Sequence, residues 1–261
     1  MSEPVKPPKS LLRPAGRAIA DFRMIQEGDR LLLGLSGGKD SLSLLHILLH
    51  LKRHAPVRFE VGVVTVDPMT EGFDPAPLKD YVADLGLPYF FERQPILERA
   101  LVHMGNDSFC AWCSRMRRGV MYEVARRERY NVLVLAQHLD DLAESLLMSM
   151  FHGGRLRTMK AHYRNDAGDL RIVRPLVYVR ERQLAAFAHA ARLPVIQENC
   201  PACFTMPTER QRMKRLLATE EAGNKHLFKS LLSAMRPLMG DAEAKRGEHS
   251  APASPSDAIA G

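Results

Sequence analysis

The string Leu31-Leu32-Leu33-Gly34-Leu35-Ser36-Gly37-Gly38-Lys39-Asp40-Ser41 constrains this chain more than any other stretch. An apolar run feeds a glycine turn, and the turn feeds a segment of helical length, 39–52, that is apolar on most of its faces. A buried strand opening through glycines into a buried helix belongs to a layered α/β fold. The same turn is an anion site. Glycines let the backbone come close to a ligand, and the unpaired N–H groups of a first helical turn carry partial positive charge. Ser36 and Ser41 add hydroxyls and Lys39 a full charge; Asp40 would repel a phosphate directly and suits Mg²⁺ better. The plain alternative is a Gly-Gly turn that holds nothing. Neither the G-x-x-x-x-G-K-[ST] nor the G-x-G-x-x-G spacing is present.

The alternation continues along the chain. Strand patterns cover 30–35, 59–67, 88–91 and 131–136, and helical ones 39–52, 77–85, 141–151 and 180–191. They predict an α/β fold, an open parallel twisted sheet with helices on both faces. Residues 1–14, rich in Pro and Lys, are expected to be flexible; 15–239 form the body; 240–261, lacking apolar periodicity, read as a disordered tail. Apolar residues make up 46% and charged residues 26%, which excludes a disordered or coiled-coil chain. No apolar run nears the ~20 residues of a membrane span, so no membrane partner is expected. The N-terminus has no apolar segment of the secretory kind, which points to the cytoplasm, where thiols stay reduced.

All four cysteines fall in two Cys-x-x-Cys pairs, Cys110 with Cys113 and Cys200 with Cys203. In a reducing compartment this pattern favours a metal over a disulfide. The pairs are separated by residues 114–199, so the fold must bring them together. A zinc site, a redox dithiol and an iron–sulfur cluster all remain open on spacing, with structural zinc the plain reading.

A second loop, Ala136-Gln137-His138-Leu139-Asp140-Asp141, follows the fourth strand, at a carboxyl end like the glycine turn. Asp141-Leu142-Ala143-Glu144 also fits a capping box headed by Asp141. Asp67 closes the second strand, where Asp-Pro is a common turn. The net charge is +7, and basic residues cluster. Residues 114–129 hold six arginines against two glutamates, with further groups at Arg155, Arg157 and Lys160 and at Arg210, Arg212, Lys214 and Arg215. Singly such patches are usually solvated; three of them beside proposed chemistry point to RNA.

The segment Ser36 to Ser41 resembles the PP-loop of the ATP pyrophosphatases. The whole body is similar to the tRNA 2-thiocytidine synthetase family. Carrying the likeness are Glu71-Gly72-Phe73, Cys-x-x-Cys-Ser-Arg-x-Arg-Arg-Gly at 110–119, His138-Leu139-Asp140-Asp141, Met150-Phe151-His152-Gly153-Gly154, Arg174-Pro175-Leu176 and the second cysteine pair. The resemblance implies a PP-loop ATPase/thiolase domain that binds ATP and Mg²⁺ and adenylates the C2 oxygen of an anticodon-loop cytidine in tRNA. It then replaces that oxygen with sulfur. By the same resemblance Ser36, Gly37, Gly38, Lys39, Asp40, Ser41, Asp67 and His138 bind the nucleotide, and Asp40 and Asp141 serve catalysis. Cys110, Cys113 and Cys200 would hold a 4Fe-4S cluster, leaving Cys203 unassigned. A cysteine desulfurase as sulfur source and a homodimer are also implied. The chain has Ala136-Gln137 where the family usually has Gly-His. Rival readings are a sulfurtransferase for another nucleoside or small molecule, a non-catalytic zinc RNA-binding protein, and amino-acid ligation to cytidine, which needs no sulfur. The favoured reading requires the loop and the three thiolates to meet across one cavity.

Overall fold

The apolar run before the glycine turn forms β1 (Asp29–Gly34), inside a six-stranded sheet. The computed structural model describes residues 4–70, 73–96, 98–99, 109–196 and 208–240, with side chains for all of these but 109–111. Strands β2 (Phe59–Asp67), β3 (Tyr89–Arg93), β4 (Val132–Val134), β5 (His162–Arg164) and β6 (Arg171–Val173) complete the order β3-β2-β1-β4-β6-β5. Neighbours run parallel except β5 and β6, which form an antiparallel hairpin at one edge. The strands expected from sequence are β1 to β4. The hairpin adds one antiparallel edge to the open parallel sheet expected from sequence. Its strands are three residues each, too short to show alternation. Its connection is a tight turn carrying Gly168 at φ +75°, which only an antiparallel pair can use.

Alternate residues of the strands face two apolar layers. Leu31, Leu33, Val63, Val132 and Val134 pack on one side. There they meet α1 (Lys9–Asp21), α2 (Lys39–His54), α3 (Ala76–Asp84), α5 (Leu139–Gly153), α6 (Glu181–Ala190), α7 (Glu209–Gly223) and α8 (Leu227–Met239). Leu32, Val64, Leu133 and Ile172 pack on the other, against Val120, Met121, Val124 and Ala125 of α4 (Phe109–Arg127). The sheet is therefore covered on both faces, as the alternation predicts. Helix α1 starts at Lys9, within the segment expected to be flexible. Leu11, Ala15 and Ala18 recur on one side of it and are fully buried, and that burial orders the first turns despite Pro14.

The lower ends of three strands are tied by polar side chains. Asp29, 3% exposed, accepts from Arg171 at the start of β6 and from Asn131 Nδ2 (2.9 Å), just before β4. Asn131 Oδ1 in turn accepts from the N–H of Arg30 (2.8 Å). This clamp fixes the relative heights of β1, β4 and β6.

Candidate active site

The chain leaves β1 for β2 and β3 on one side of the sheet and returns to β4, β6 and β5 on the other. Ligands of open α/β sheets bind at the carboxyl ends of strands where the order reverses in this way. The register Leu33↔Val134 sets the loops after β1 and β4 side by side at that end. Between them and α4 lies a cleft of about 380 Å³. Ser36, Gly38, Asp40 and Ser41 line it from the first loop, and Ala136, Gln137 and Asp141 from the second. Cys113, Arg117, Arg118 and Met121 line it from α4, and Arg210 from α7.

The glycine turn is shaped before any ligand arrives. Gly37 has φ +89°, and a Cβ there would fall 2.2 Å from Ile196 Cγ1. Its carbonyl accepts from Ile196 N–H (3.1 Å). Ser36 Oγ accepts from Gly38 N–H (3.2 Å), and Ser41 Oγ donates to the Gly38 carbonyl (3.0 Å). Helix α2 starts at Lys39 with Gly38 as its N-cap and no side-chain cap, so its first N–H groups remain available to an anion. Lys39 Nζ bonds to Asp40 Oδ2 (3.1 Å) and to Glu181 Oε1 (2.9 Å) at the start of α6. Burial would lower the Lys39 pKa, but the two carboxylates raise it. Glu181 also meets Lys214 of α7. Burial alone would raise its pKa; the hydrogen bonds from Lys214 and Lys39 win and hold it down at about 2.

Asp40 is pushed upward, first by burial and also by Asp141, against the pull of His138 and Lys39. Its Oδ1 is buried and has no hydrogen-bond partner among the described residues. His138, 5% exposed, lies behind the two aspartates rather than on the cleft wall. It is the N-cap of α5: its Nδ1 accepts from Asp141 N–H (3.4 Å), and its own N–H donates to Asp141 Oδ2 (3.0 Å). The capping box thus sits three residues earlier than the sequence places it, with Asp141 as its third helical residue. An accepting Nδ1 leaves the ring proton on Nε2, which lies 3.7 Å from Asp40 Oδ2. Asp140 turns away from the cleft. It accepts from Arg180 (3.0 Å) and from Glu181 N–H (2.8 Å) and so ties α5 to α6.

Asp67 is 6% exposed and accepts from Met69 N–H (2.7 Å) and Arg93 Nε (3.3 Å), as a turn-closing residue does. Strand β2 contributes Val64 and Val66 to the cleft instead. On α4, Cys113, Arg117 and Met121 recur every four residues along the cleft side. Cys110 lies on the same helix three residues before Cys113, but its side chain is outside the described ones. Cys200 and Cys203 belong to 197–207, outside the described residues. Both flanks of that segment touch the cleft region. Ile196 bonds to the glycine turn, and Thr208 caps α7, whose Arg210 donates to Asp141 Oδ1 (3.2 Å). Two contacts escape sequence reasoning. Glu181 reaches Lys39 from 142 positions away, and Arg174 reaches Gln137 from 37 positions away. Nothing local to either sequence signals the contact.

Comparison with known proteins agrees with this geometry. The family described as a PP-loop domain matches residues 11–220. The chain is 40% identical over 231 residues to a tRNA-cytidine(32) 2-sulfurtransferase of Geobacter sulfurreducens, covering 87% of this chain and 89% of that one. It is 42% identical over 223 residues to the protein of the same name from Syntrophotalea carbinolica, covering 84% and 85%. Among solved structures, the U34-tRNA thiolase NcsA from Methanococcus maripaludis with its 4Fe-4S cluster shares the fold. Its TM-score is 0.73 at 18% identity, covering 95% of this chain and 90% of that one. A PP-loop at the switch point of this sheet, matched through nearly the whole body, places the chain in the tRNA 2-thiocytidine synthetase family of PP-loop enzymes.

Proposed function

We propose that the chain is an ATP-dependent tRNA thiolase that converts an anticodon-loop cytidine into 2-thiocytidine, releasing AMP and pyrophosphate. The observation that carries this reading is that the glycine turn and Cys113 share one cleft. The relatives' name, tRNA-cytidine(32) 2-sulfurtransferase, supports the substrate. In sequence, Cys200 follows Ile196, a residue bonded to the turn, by four positions.

Two groups fit the residues present. The buried, unpartnered Oδ1 of Asp40, together with the neighbouring charge of Asp141, suits Mg²⁺, which would neutralise phosphate charge. Cys110 and Cys113, one helical turn apart, and Cys200 form a soft donor set. A 4Fe-4S cluster held by these three would supply an iron with an open position for the sulfur to be transferred.

The protein's own part is grip, orientation and charge. The N–H groups at the start of α2, the hydroxyls of Ser36 and Ser41, and Lys39 hold the pyrophosphate end of ATP. The C2 oxygen of the base attacks the α-phosphorus, the bond to pyrophosphate breaks, and Lys39 stabilises the leaving charge. The adenylated oxygen is now a good leaving group. Sulfide forms the new bond to C2, the C2–O bond breaks, and AMP departs past Arg117 and Arg118, carrying the former C2 oxygen on its phosphate. Holding base, nucleotide and sulfur in one cleft makes both displacements effectively unimolecular. A cysteine desulfurase supplies the sulfur at the persulfide level, a two-electron thiol or electron-transfer reductant brings it to sulfide, and the enzyme works as a homodimer in the cytoplasm.

Nucleoside analysis of tRNA from a deletion strain tests the proposal. Loss of 2-thiocytidine is expected, with restoration by the parent gene but not by Asp40→Ala. Unchanged 2-thiocytidine would move the enzyme to another nucleoside or a small molecule. Anaerobically purified protein that carried zinc in place of iron and sulfide, and formed no AMP, would leave an RNA-binding zinc protein.

A further inference from the structure

Gln137 lies on the cleft wall, next to Ala136. Its Oε1 accepts from Arg174 Nε at 2.8 Å. A guanidinium has donors only, so the amide must turn its oxygen to Arg174 and its NH₂ away from it, into the cleft. Arg174 is itself immobilised. It is 4% exposed, donates a second bond to the Lys160 carbonyl (2.6 Å) and lies over the Tyr163 ring at 5.3 Å. Among the described residues no carboxylate pairs with it. A buried positive charge therefore stands behind the amide oxygen, and a hydrogen-bond chain of this kind polarises the outer N–H. A polarised donor fits an anionic acceptor, and the loop that carries Gln137 lies beside the glycine turn at the same end of the sheet.

We propose that Gln137, set by Arg174, donates a hydrogen bond to the phosphoryl oxygens of the nucleotide bound in this cleft. Gln137 touches the ligand; Arg174 is a positioning residue. The inference rests on ATP occupying the cleft, as in the proposed function.

Two substitutions test it without disturbing the core. In Gln137→Glu an oxygen still faces Arg174, but a second oxygen replaces the donor. In Gln137→His a ring nitrogen can accept from Arg174 while the other presents N–H to the cleft. Binding of a non-hydrolysable ATP analogue with Mg²⁺ is measured by calorimetry, and AMP formation with tRNA in single turnover. Gln137→Glu should weaken the analogue by about tenfold or more and slow AMP formation by about 100-fold, the usual cost of losing a transition-state donor. Gln137→His should stay within about threefold of the parent on both. A Glu variant that binds and reacts like the parent overturns the proposal, as does a His variant equally impaired. A change confined to the KM for tRNA also overturns it, because the donor would then serve the base. Failure of the parent to bind the analogue would instead sink the nucleotide reading of the cleft, and this inference with it.

Discussion

Asp40 stands between opposing influences: burial and Asp141 favour its neutral form, while His138 and Lys39 favour the carboxylate. Its buried Oδ1 has no hydrogen-bond partner among the described residues, and the residue lines the cleft. Asp40→Ala should therefore remove AMP and pyrophosphate formation while leaving the iron and sulfide content of anaerobically purified protein intact. Cys113→Ala should do the reverse to the metal content, giving a colourless, folded protein without thiolation; absorption spectra and thermal melts read both. Glu144 makes a different prediction. It is 3% exposed and pushed up to about 7, by burial first and then by Asp141, against Arg210 and Lys214. A carboxyl whose folded pKa is raised stabilises the fold below its unfolded pKa and loses that contribution as pH rises through about 7. Glu144→Gln should accordingly raise the melting temperature at pH 8 and leave it unchanged near pH 4, measured without divalent cations. Equal gains at both pH values would remove ionisation as the cause.

Among the elements, the strands show what sequence can and cannot convey. β1 is legible as a short apolar run ending in glycines, and β2 as a Val-rich alternating segment. β5 and β6 are not, because three residues carry no period and their pairing depends on a turn. Helix α4 is hidden by its arginines, which blur the apolar stripe made by Val120, Met121 and Val124. The glycine turn is fully legible, since its chemistry is local. The neighbours that tune it are not, since Glu181 and Arg174 arrive by tertiary folding. The clamp of Asp29, Arg171 and Asn131 belongs with these hidden partners. Asp29→Ala leaves Arg171, 7% exposed, without its carboxylate and should cost about 3–5 kcal/mol in urea unfolding. It should also lower activity from the opposite end of the strands, because β1 and β4 would lose their common height.

At the scale of the whole molecule, the net charge is +7 and basic residues cluster along the sequence, as the proposed binding of tRNA would require. Arg155 and Arg157 follow α5 beyond the cleft, exposed and without an ion pair among the described residues. Exposed Phe151 and Leu156 lie beside them. Affinity for tRNA should fall steeply with salt. Replacing Arg155 and Arg157 with Ala should reduce the log–log slope by roughly 0.7–0.9 for each phosphate that is no longer neutralised. Unaltered slope in the double variant, with affinity retained, would assign that surface to something other than RNA.

Lys39 is already held by Glu181, and Glu181 by Lys214. In the proposed reaction a triphosphate therefore competes with a carboxylate of the protein itself for the one ammonium in the turn. Once pyrophosphate has gone, that carboxylate is on hand to take its place. The proposed reaction thus meets an internal rival for its own substrate, one that disfavours weakly charged nucleotides and helps clear the site between turnovers.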